Sequence, residues 1–409
     1  MKKTPEVKKV QLSLVQDTFS QIKQLVQYQM RGAALGMALK LFDKEVLDLC
    51  GEKFSHKNGD FYHRGGSDDG SIIIHGQRVA VKKPRVRGGD KEVQLESYSA
   101  LQDYDLLCEK VMKHMLSGVS TRDYEGVLDE ITNSTGLKKS SVSKAFKEGS
   151  LKALEEINGR DLSGHEFLSV MIDGIGFGTR TVIAALGITT SGKKLVIGLR
   201  EGDTENSAVC VDLLQSLFDR KLNTVFPIIF VIDGAKALKK GIRKVFGDIV
   251  PIQRCVRHKE RNIISYLSKE YHMEFRRRWK KLHGHIEYSK AKKEYEELAT
   301  WLNNINYAAH QSLVESEMET LTVVKLKAPA LLRRTLLSTN PLESIFSKVA
   351  SHKARVKNWK TGADQISRWA AVTLLDVEKR FHVVEGFKQI PLVVQELRNL
   401  LLETQSEVA

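Results

Sequence analysis

Cysteine, proline and aromatic residues are all scarce in this chain, and no apolar run is long. The four cysteines, Cys50, Cys108, Cys210 and Cys255, are spread over 409 residues. That leaves no disulfide framework and suits a reducing cytosol. Seven prolines, no internal repeat and no long low-complexity segment argue against a fibrous or linker-dominated protein. The longest apolar run, around Val225 to Ile232, is far too short to span a bilayer, so no membrane role is expected. Met1-Lys2-Lys3-Thr4-Pro5 is basic, but no apolar segment follows it, which argues against a signal peptide.

Positive charge, by contrast, is abundant. Sixty-four basic residues stand against fifty acidic ones, a net charge of +14, while the hydrophobic share of 42% is ordinary. The length allows two or three domains and at least one sizeable core. The charge speaks to partners rather than fold and points to nucleic acid or another anionic surface.

Along the chain, residues 1 to about 50 read as helical, with Leu25, Met30, Leu35, Met37, Leu39 and Leu41 set among polar residues. A glycine-rich break follows, with Gly59, Gly65, Gly66 and Gly70, and then a loose strand pair over Ser71–Val81. Six basic residues lie between Arg78 and Lys91 against one acid, Asp90. This tract is either a solvated charged face or a phosphate-contacting arm. Residues 118–148 suggest two short helices. The first starts at Ser120-Thr121-Arg122-Asp123 and the second at Ser140-Ser141-Val142-Ser143-Lys144, with Asn133-Ser134-Thr135-Gly136 between them. A helix-turn-helix fits, its second helix led by Lys138, Lys139, Ser141 and Lys144, although such hairpins also occur in folds that bind no DNA.

From Phe167 the pattern turns to β. Phe167–Asp173, Thr181–Ile188 and Lys194–Leu199 predict three antiparallel strands. An amphipathic helix carrying Val209, Leu213, Leu214, Leu217 and Phe218 follows, then a strand over Pro227–Asp233, a helix over Ala235–Val245 and a short strand near Ile249–Ile252. Asp173-Gly174-Ile175-Gly176-Phe177-Gly178 is no dinucleotide loop, because a strand and not a helix comes after it. Residues 259–335 read as helical and basic, and a last helical region starts at Pro341.

Two stretches sixty positions apart, Met171-Ile172-Asp173-Gly174 and Val231-Ile232-Asp233-Gly234, each run an apolar strand into Asp-Gly. If the first and fourth strands are parallel neighbours, the two carboxylates meet at one sheet edge and require a divalent cation. Two ions about 3.5–4 Å apart would serve in-line phosphoryl transfer, and holding the second needs a third acid. Glu343, in Asn340-Pro341-Leu342-Glu343-Ser344, is the best candidate, with Asn340 as the cap and Pro341 in the first turn. On spacing alone, the same segment reads as a capped surface helix. Cys255-x-x-His258 lacks further zinc ligands, and the spacing of Cys50, His56, His63 and His75 is irregular, so no zinc finger is expected. His258 is expected to touch DNA or brace an aspartate, and Cys255 to pack. Trp279, Trp301, Trp359 and Trp369 read mainly as core, with Trp301 the one that could stack on an unpaired base.

Together with Arg200-Glu201-Gly202-Asp203-Thr204-Glu205-Asn206, Gln253-Arg254-Cys255-Val256-Arg257-His258-Lys259, Asn58-Gly59 with Arg64, and Pro84-Arg85-Val86-Arg87, these motifs resemble the Mutator-type insertion-sequence transposases. The resemblance covers most of the chain in the family's order. It implies an α/β ribonuclease H-like catalytic core interrupted by an all-α insertion, with a mostly helical N-terminal DNA-binding region. It also implies Asp173, Asp233 and Glu343 as a DDE triad holding two Mg²⁺ or Mn²⁺ ions, with His258 and Cys255 close by. The implied division is 1–100 and 101–160 for DNA binding, 161–258 for the first part of the core, 259–335 for the insertion, and 336–409 for the catalytic helix and C-terminal region. Expected DNA contacts are Arg64, Arg85, Arg87, Lys138, Lys139, Ser141, Lys144, Lys353 and Arg355, with double-stranded terminal inverted repeats and target DNA as partners. A homodimer or larger assembly is expected, in a prokaryotic cytoplasm at the nucleoid. The rival reading is a non-catalytic, sequence-specific DNA-binding protein derived from a transposase.

Overall fold

The computed structural model describes residues 29–30, 32–53, 61–74, 77–89, 91–102, 112–113, 115–116, 139–202, 207–222, 228–353, 359 and 364–408. The chain separates into two compact units, Met1–Gly149 and Ser150–Ala409.

In the first unit, helix α1 (residues 32–50) buries Ala38, Phe42 and Val46, a stripe at the i, i+4, i+8 spacing of a helix face. Met30, Met37, Leu39 and Leu41, which read as apolar signals in the sequence, are exposed. The stripe packs on a three-stranded sheet ordered β1 (Tyr62–Ile74), β2 (Gln77–Gly88), β3 (Lys91–Val93), followed by the short helix α2 (Glu96–Ala100). Glu45 of α1 accepts the Glu96 and Ser97 amides at 2.6 and 2.9 Å, so a carboxylate satisfies the open end of α2.

Of the expected glycine break, Gly59 lies outside the described residues and the rest is strand. Gly65, Gly66 and Gly70 lie within β1, where the register shifts between Arg64 and Ser67 and Gly66 has φ of 81°. At Gly70 a Cβ would sit 2.9 Å from the Tyr98 hydroxyl, which would have to shift to admit it. The first predicted helix of the helix-turn-helix lies outside the described residues. Its partner is α3 (Lys139–Gly159), longer than the sequence suggested.

The second unit is built on a five-stranded sheet ordered β6-β5-β4-β7-β8: β4 (Phe167–Phe177), β5 (Arg180–Thr189), β6 (Lys194–Gly202), β7 (Ile229–Ile232) and β8 (Ile252–Arg254). The first three strands are antiparallel; β4 to β7 and β7 to β8 are parallel. Seven consecutive buried residues in β4 require cover on both faces of the sheet. On one face Val170, Ile172, Phe230 and Ile232 pack with α4 (Ser207–Asp219) and α5 (Lys236–Phe246) through Leu213, Leu214, Leu217, Leu238 and Ile242. Phe218, expected on the buried stripe, is exposed at the end of α4. The eighth strand starts three residues later than the Ile249 signal, because Asp248–Val250 form a turn.

From α6 (Val256–Ile264) onward the chain is helical. Helices α7 (His272–Gly284), α8 (Tyr288–Ile305), α9 (Tyr307–Val314) and α10 (Ala330–Leu336) follow, with a separate core around Phe275, Trp279, Leu298, Leu302 and Leu313. Then α11 (Asn340–Lys353) lies against β4, and α12 (Gln365–Glu378) against β5 and β6, before α13 (Ile390–Val408).

Candidate active site

The parallel ladder pairs Ser169 with Ile229, Val170 with Phe230, Met171 with Val231 and Ile172 with Ile232. Asp173 and Asp233 are the next residues on each strand. Side chains alternate along a strand. Since Val170, Ile172, Phe230 and Ile232 serve one core, Asp173 and Asp233 share the other face, the one α11 covers. Asp173 is 6% exposed and accepts the Gly174 amide at 2.9 Å. Asp233 is half-buried, and its Oδ1 accepts the Ala235 amide at 2.9 Å, satisfying a free donor at the start of α5.

Gly234 is forced by this turn. Its φ is 107°, and a Cβ would fall 2.1 Å from Arg254 Nε. The Arg254 guanidinium donates to the Gly234 carbonyl at 2.8 Å, clamping the strand end.

Glu343 enters from α11. The amides of Leu342 and Glu343 both donate to the Thr339 carbonyl, at 2.8 and 2.9 Å. Thr339 is therefore the residue that opens the helix, one position before the Asn340 suggested by the sequence. Its side chain is turned inward, 3.5 Å from both Cys255 Sγ and His258 Nδ1. Cys255 is fully buried, and its amide donates to the Ile232 carbonyl at 2.7 Å, so α6 begins beside the end of β7.

His258, in the first turn of α6, is the piece that spacing alone could not place. Donor atoms of Asp173, His258 and Glu343 all lie within 4.8 Å of one another; Asp233 is outside that group. His258 Nε2 is 3.4 Å from Glu343 Oε1, inside ion-pair range but not aligned as a hydrogen bond. Oε1 is thus a buried oxygen without a hydrogen-bond partner among the described residues, while Oε2 is 3.4 Å from Arg261. An orphaned carboxylate oxygen between an aspartate and an imidazole suits a divalent cation, to which this O, N, O set offers ligands.

Charge at the site follows from burial and neighbours. Burial raises the Asp173 carboxyl to about 6, the Asp233 charge adding to it, with His258, Thr339 and the Gly174 amide opposing. His258 is pushed up to about 9 by its hydrogen bond with Cys255 and by the negative groups at Cys255, Asp173 and Glu343, against desolvation. Burial pushes the Cys255 thiol up, but hydrogen bonds from His258 and Thr339 outweigh it and bring the net shift down. At neutral pH an imidazolium stands between two carboxylates.

The full set of motifs matches one family. The sequence model of "Transposase, Mutator family" covers residues 6–381. The chain belongs to the Mutator family of transposases. It is similar to the transposase for insertion sequence element IS6120 of Mycolicibacterium smegmatis, at 26% identity over 57% of this chain and 73% of that protein. It is also similar to the transposase for insertion sequence element IS1201 of Lactobacillus helveticus, at 27% identity over 74% of this chain and 79% of that protein. A third relative, the transposase for insertion sequence element IS905 of Lactococcus lactis, is 27% identical over 51% of this chain and 54% of that protein.

The residues expected to contact DNA are scattered. Arg64 on β1 donates to the Gly51 carbonyl. Arg85 on β2 pairs with Glu92 at 2.9 Å, as does Lys83 at 3.4 Å, and Lys82 pairs with Asp69 at 2.6 Å. Part of the basic tract is thereby neutralised within the protein. Arg87 is exposed, and Lys144 on α3 is exposed beside Glu148 at 3.7 Å. Lys138 and Arg355, and the side chains of Lys139, Ser141 and Lys353, lie outside the described residues. Trp301 already carries Arg278 over its ring at 5.1 Å and Tyr271 at its edge, which leaves it poorly placed to stack on a base. Among the described residues no helix is long and apolar enough to cross a membrane.

Proposed function

We propose that this Mutator-family protein is a DDE transposase, which binds the double-stranded terminal inverted repeats of its element and carries out metal-dependent strand cleavage and strand transfer. Asp173, Asp233 and Glu343 would hold the metal, with His258 beside it. The observation that carries this reading is the convergence of Asp173 and Glu343, 170 positions apart in sequence, onto one sheet edge with an unsatisfied Glu343 oxygen. The sheet order, three antiparallel strands followed by two parallel ones, supports a ribonuclease H-like core, and the helical run from Val256 to Leu336 supports an insertion between that core and the helix bearing Glu343.

When bound, Mg²⁺ or Mn²⁺ would neutralise charge at a scissile phosphate and lower the pKa of an attacking hydroxyl. The three acids would hold the two ions that in-line phosphoryl transfer uses. The chain's own groups do the rest. Asp173, buried and raised toward neutral pH, ionises readily once positive charge is near. Gly234 and Arg254 fix the backbone that carries Asp233. Thr339 locks the first turn of α11 against Cys255 and His258, so Glu343 is held rather than free to swing. His258 keeps the carboxylates from repelling one another. Basic residues around Arg276–Lys281 hold DNA through its phosphates. Two element ends must be joined, which calls for a dimer or larger assembly at the bacterial nucleoid.

The test is metal-dependent cleavage of DNA carrying an element end, by wild type and by Asp173→Asn, Asp233→Asn and Glu343→Gln. Each substitution should reduce cleavage by at least about a thousandfold while end binding persists. End binding with no metal-dependent nicking by the wild type would favour a regulator derived from a transposase.

A further inference from the structure

A polar network joins the turn that carries Asp233 to the helical region, and the metal chemistry leaves it unexplained. Lys259 of α6 has a fully buried side chain. Its ammonium donates to Glu315 Oε1 at 2.6 Å and to the Ser312 carbonyl at 2.7 Å. Glu315 stands at the end of α9. The same carboxylate oxygen is 3.6 Å from the buried Arg254 guanidinium, which also donates to the Glu315 carbonyl at 3.4 Å. Arg254 in turn donates to the Gly234 carbonyl at 2.8 Å. One carboxylate from the helical region thus holds two buried cations, and one of them grips the residue next to Asp233. Neighbouring contacts tie the same two parts of the unit. Gln253 of β8 donates to the Thr320 carbonyl at 3.1 Å and accepts the Val323 amide at 2.9 Å. Lys239 of α5, the helix that follows Asp233, pairs with Glu319 at 2.7 Å.

From this we infer that Glu315 is a positioning residue for Asp233, acting through Arg254 and Gly234, with Lys259 as its anchor. This role rests on the DDE reading, since the placement of Asp233 matters only if its carboxylate ligates metal. Asp233 stands outside the group formed by Asp173, His258 and Glu343, so its reach toward them is set by the turn that Gly234 continues. Arg254 fills the space beside Gly234, and a displaced guanidinium therefore displaces the backbone with it. The chemistry of the link argues for placement rather than bulk stability. Were only packing needed at Lys259, an apolar side chain of similar volume would avoid stripping water from an ammonium, and such exchanges are often neutral or stabilising. A carboxylate shared by two cations instead defines one position for both. Residues that touch no ligand can in this way set how tightly a site holds its metal.

The experiment is calorimetric titration of Mn²⁺ into the full chain without DNA, with melting curves to establish that each variant folds. Lys259→Met, which keeps most of the volume, and Glu315→Gln, which keeps an acceptor, should each bind Mn²⁺ at least about tenfold more weakly than wild type. The double variant should bind no more weakly than the weaker single one, because both changes break one link. Asp233→Asn should itself weaken Mn²⁺ binding, and adding Glu315→Gln to it should change nothing further. Arg333→Ala, which removes a buried guanidinium elsewhere in the helical region, should bind Mn²⁺ as wild type does despite its lower stability. Wild-type affinity in folded Lys259→Met and Glu315→Gln would overturn the assignment. So would an equal loss in Arg333→Ala, or a further loss when Glu315→Gln is added to Asp233→Asn. Wild-type affinity in Asp233→Asn would instead overturn the active-site reading.

Discussion

At the scale of the residue, the site is governed by three charges in a confined space. Asp173 and Glu343 flank His258, whose proton is retained up to about pH 9 by the groups around it. A divalent cation entering there competes with that proton. The sign is fixed by the direction of each shift. Asp173 must lose a proton to serve as a ligand, so metal affinity rises as pH climbs through about 6. It rises again as pH approaches about 9 and His258 gives up its charge. Calorimetric titration of Mn²⁺ in buffers of different ionisation heat should show about one proton released per metal near pH 7.5. In His258→Ala the release near pH 7.5 should fall toward zero, and in Asp173→Asn the rise near pH 6 should vanish.

The aspartates were legible in the sequence because an apolar strand that ends in Asp-Gly sets its carboxylate at the rim of a sheet core. Thr339 was not legible. A threonine ahead of Asn-Pro reads as part of a turn, and nothing local shows that its hydroxyl faces Cys255 and His258. His258 was expected to touch DNA or brace an aspartate, but that it joins Asp173 while Asp233 stays outside the cluster was hidden, since it depends on where α6 begins beside the end of β7.

At the scale of the element, the strand-to-helix turn after β7 is the most constrained joint. Gly234 has a left-handed backbone, and Arg254 occupies the volume a side chain would need. Gly234→Ala should therefore cost about 3 kcal/mol in chemical denaturation, with Asp233 displaced at the same time. A second joint lies in the helical region. The buried Arg333 of α10 donates to the carbonyls of Ala328 and His285, at 3.2 and 2.6 Å, and so ties α10 to the end of α7. Arg333→Ala leaves the buried Ala328 carbonyl and the part-buried His285 carbonyl without this donor and should cost about 3 kcal/mol by the same measurement. The β1–β2 hairpin shows where composition misleads. Its glycines suggested a break, yet Gly66 takes a positive φ at a bulge and Gly70 lies against the Tyr98 hydroxyl within a continuous strand. Helix α11 was foreseen from Asn340-Pro341, but its approach to β4 was expected only from the family resemblance, because 110 positions separate Glu343 from Asp233 and no periodicity spans such a distance.

At the scale of the molecule, a net charge of +14 is distributed unevenly. Much of the basic tract on β2 is paired internally, whereas Lys280 and Lys348 are free of ion pairs among the described residues. DNA binding by the whole chain should fall steeply with salt. Reversing Arg85, already paired with Glu92, should flatten that dependence less than reversing Lys280, as electrophoretic mobility shifts across a salt series would show.

The central claim is that Asp173, Asp233 and Glu343 gather a divalent cation at one sheet edge. Anomalous diffraction from a crystal soaked in Mn²⁺ tests it most directly. The account predicts a peak about 2.0–2.2 Å from carboxylate oxygens of Asp173 and Glu343, with Asp233 turned to join them, and no such peak in Glu343→Gln. A wild-type crystal with Mn²⁺ bound elsewhere and this edge empty would contradict it.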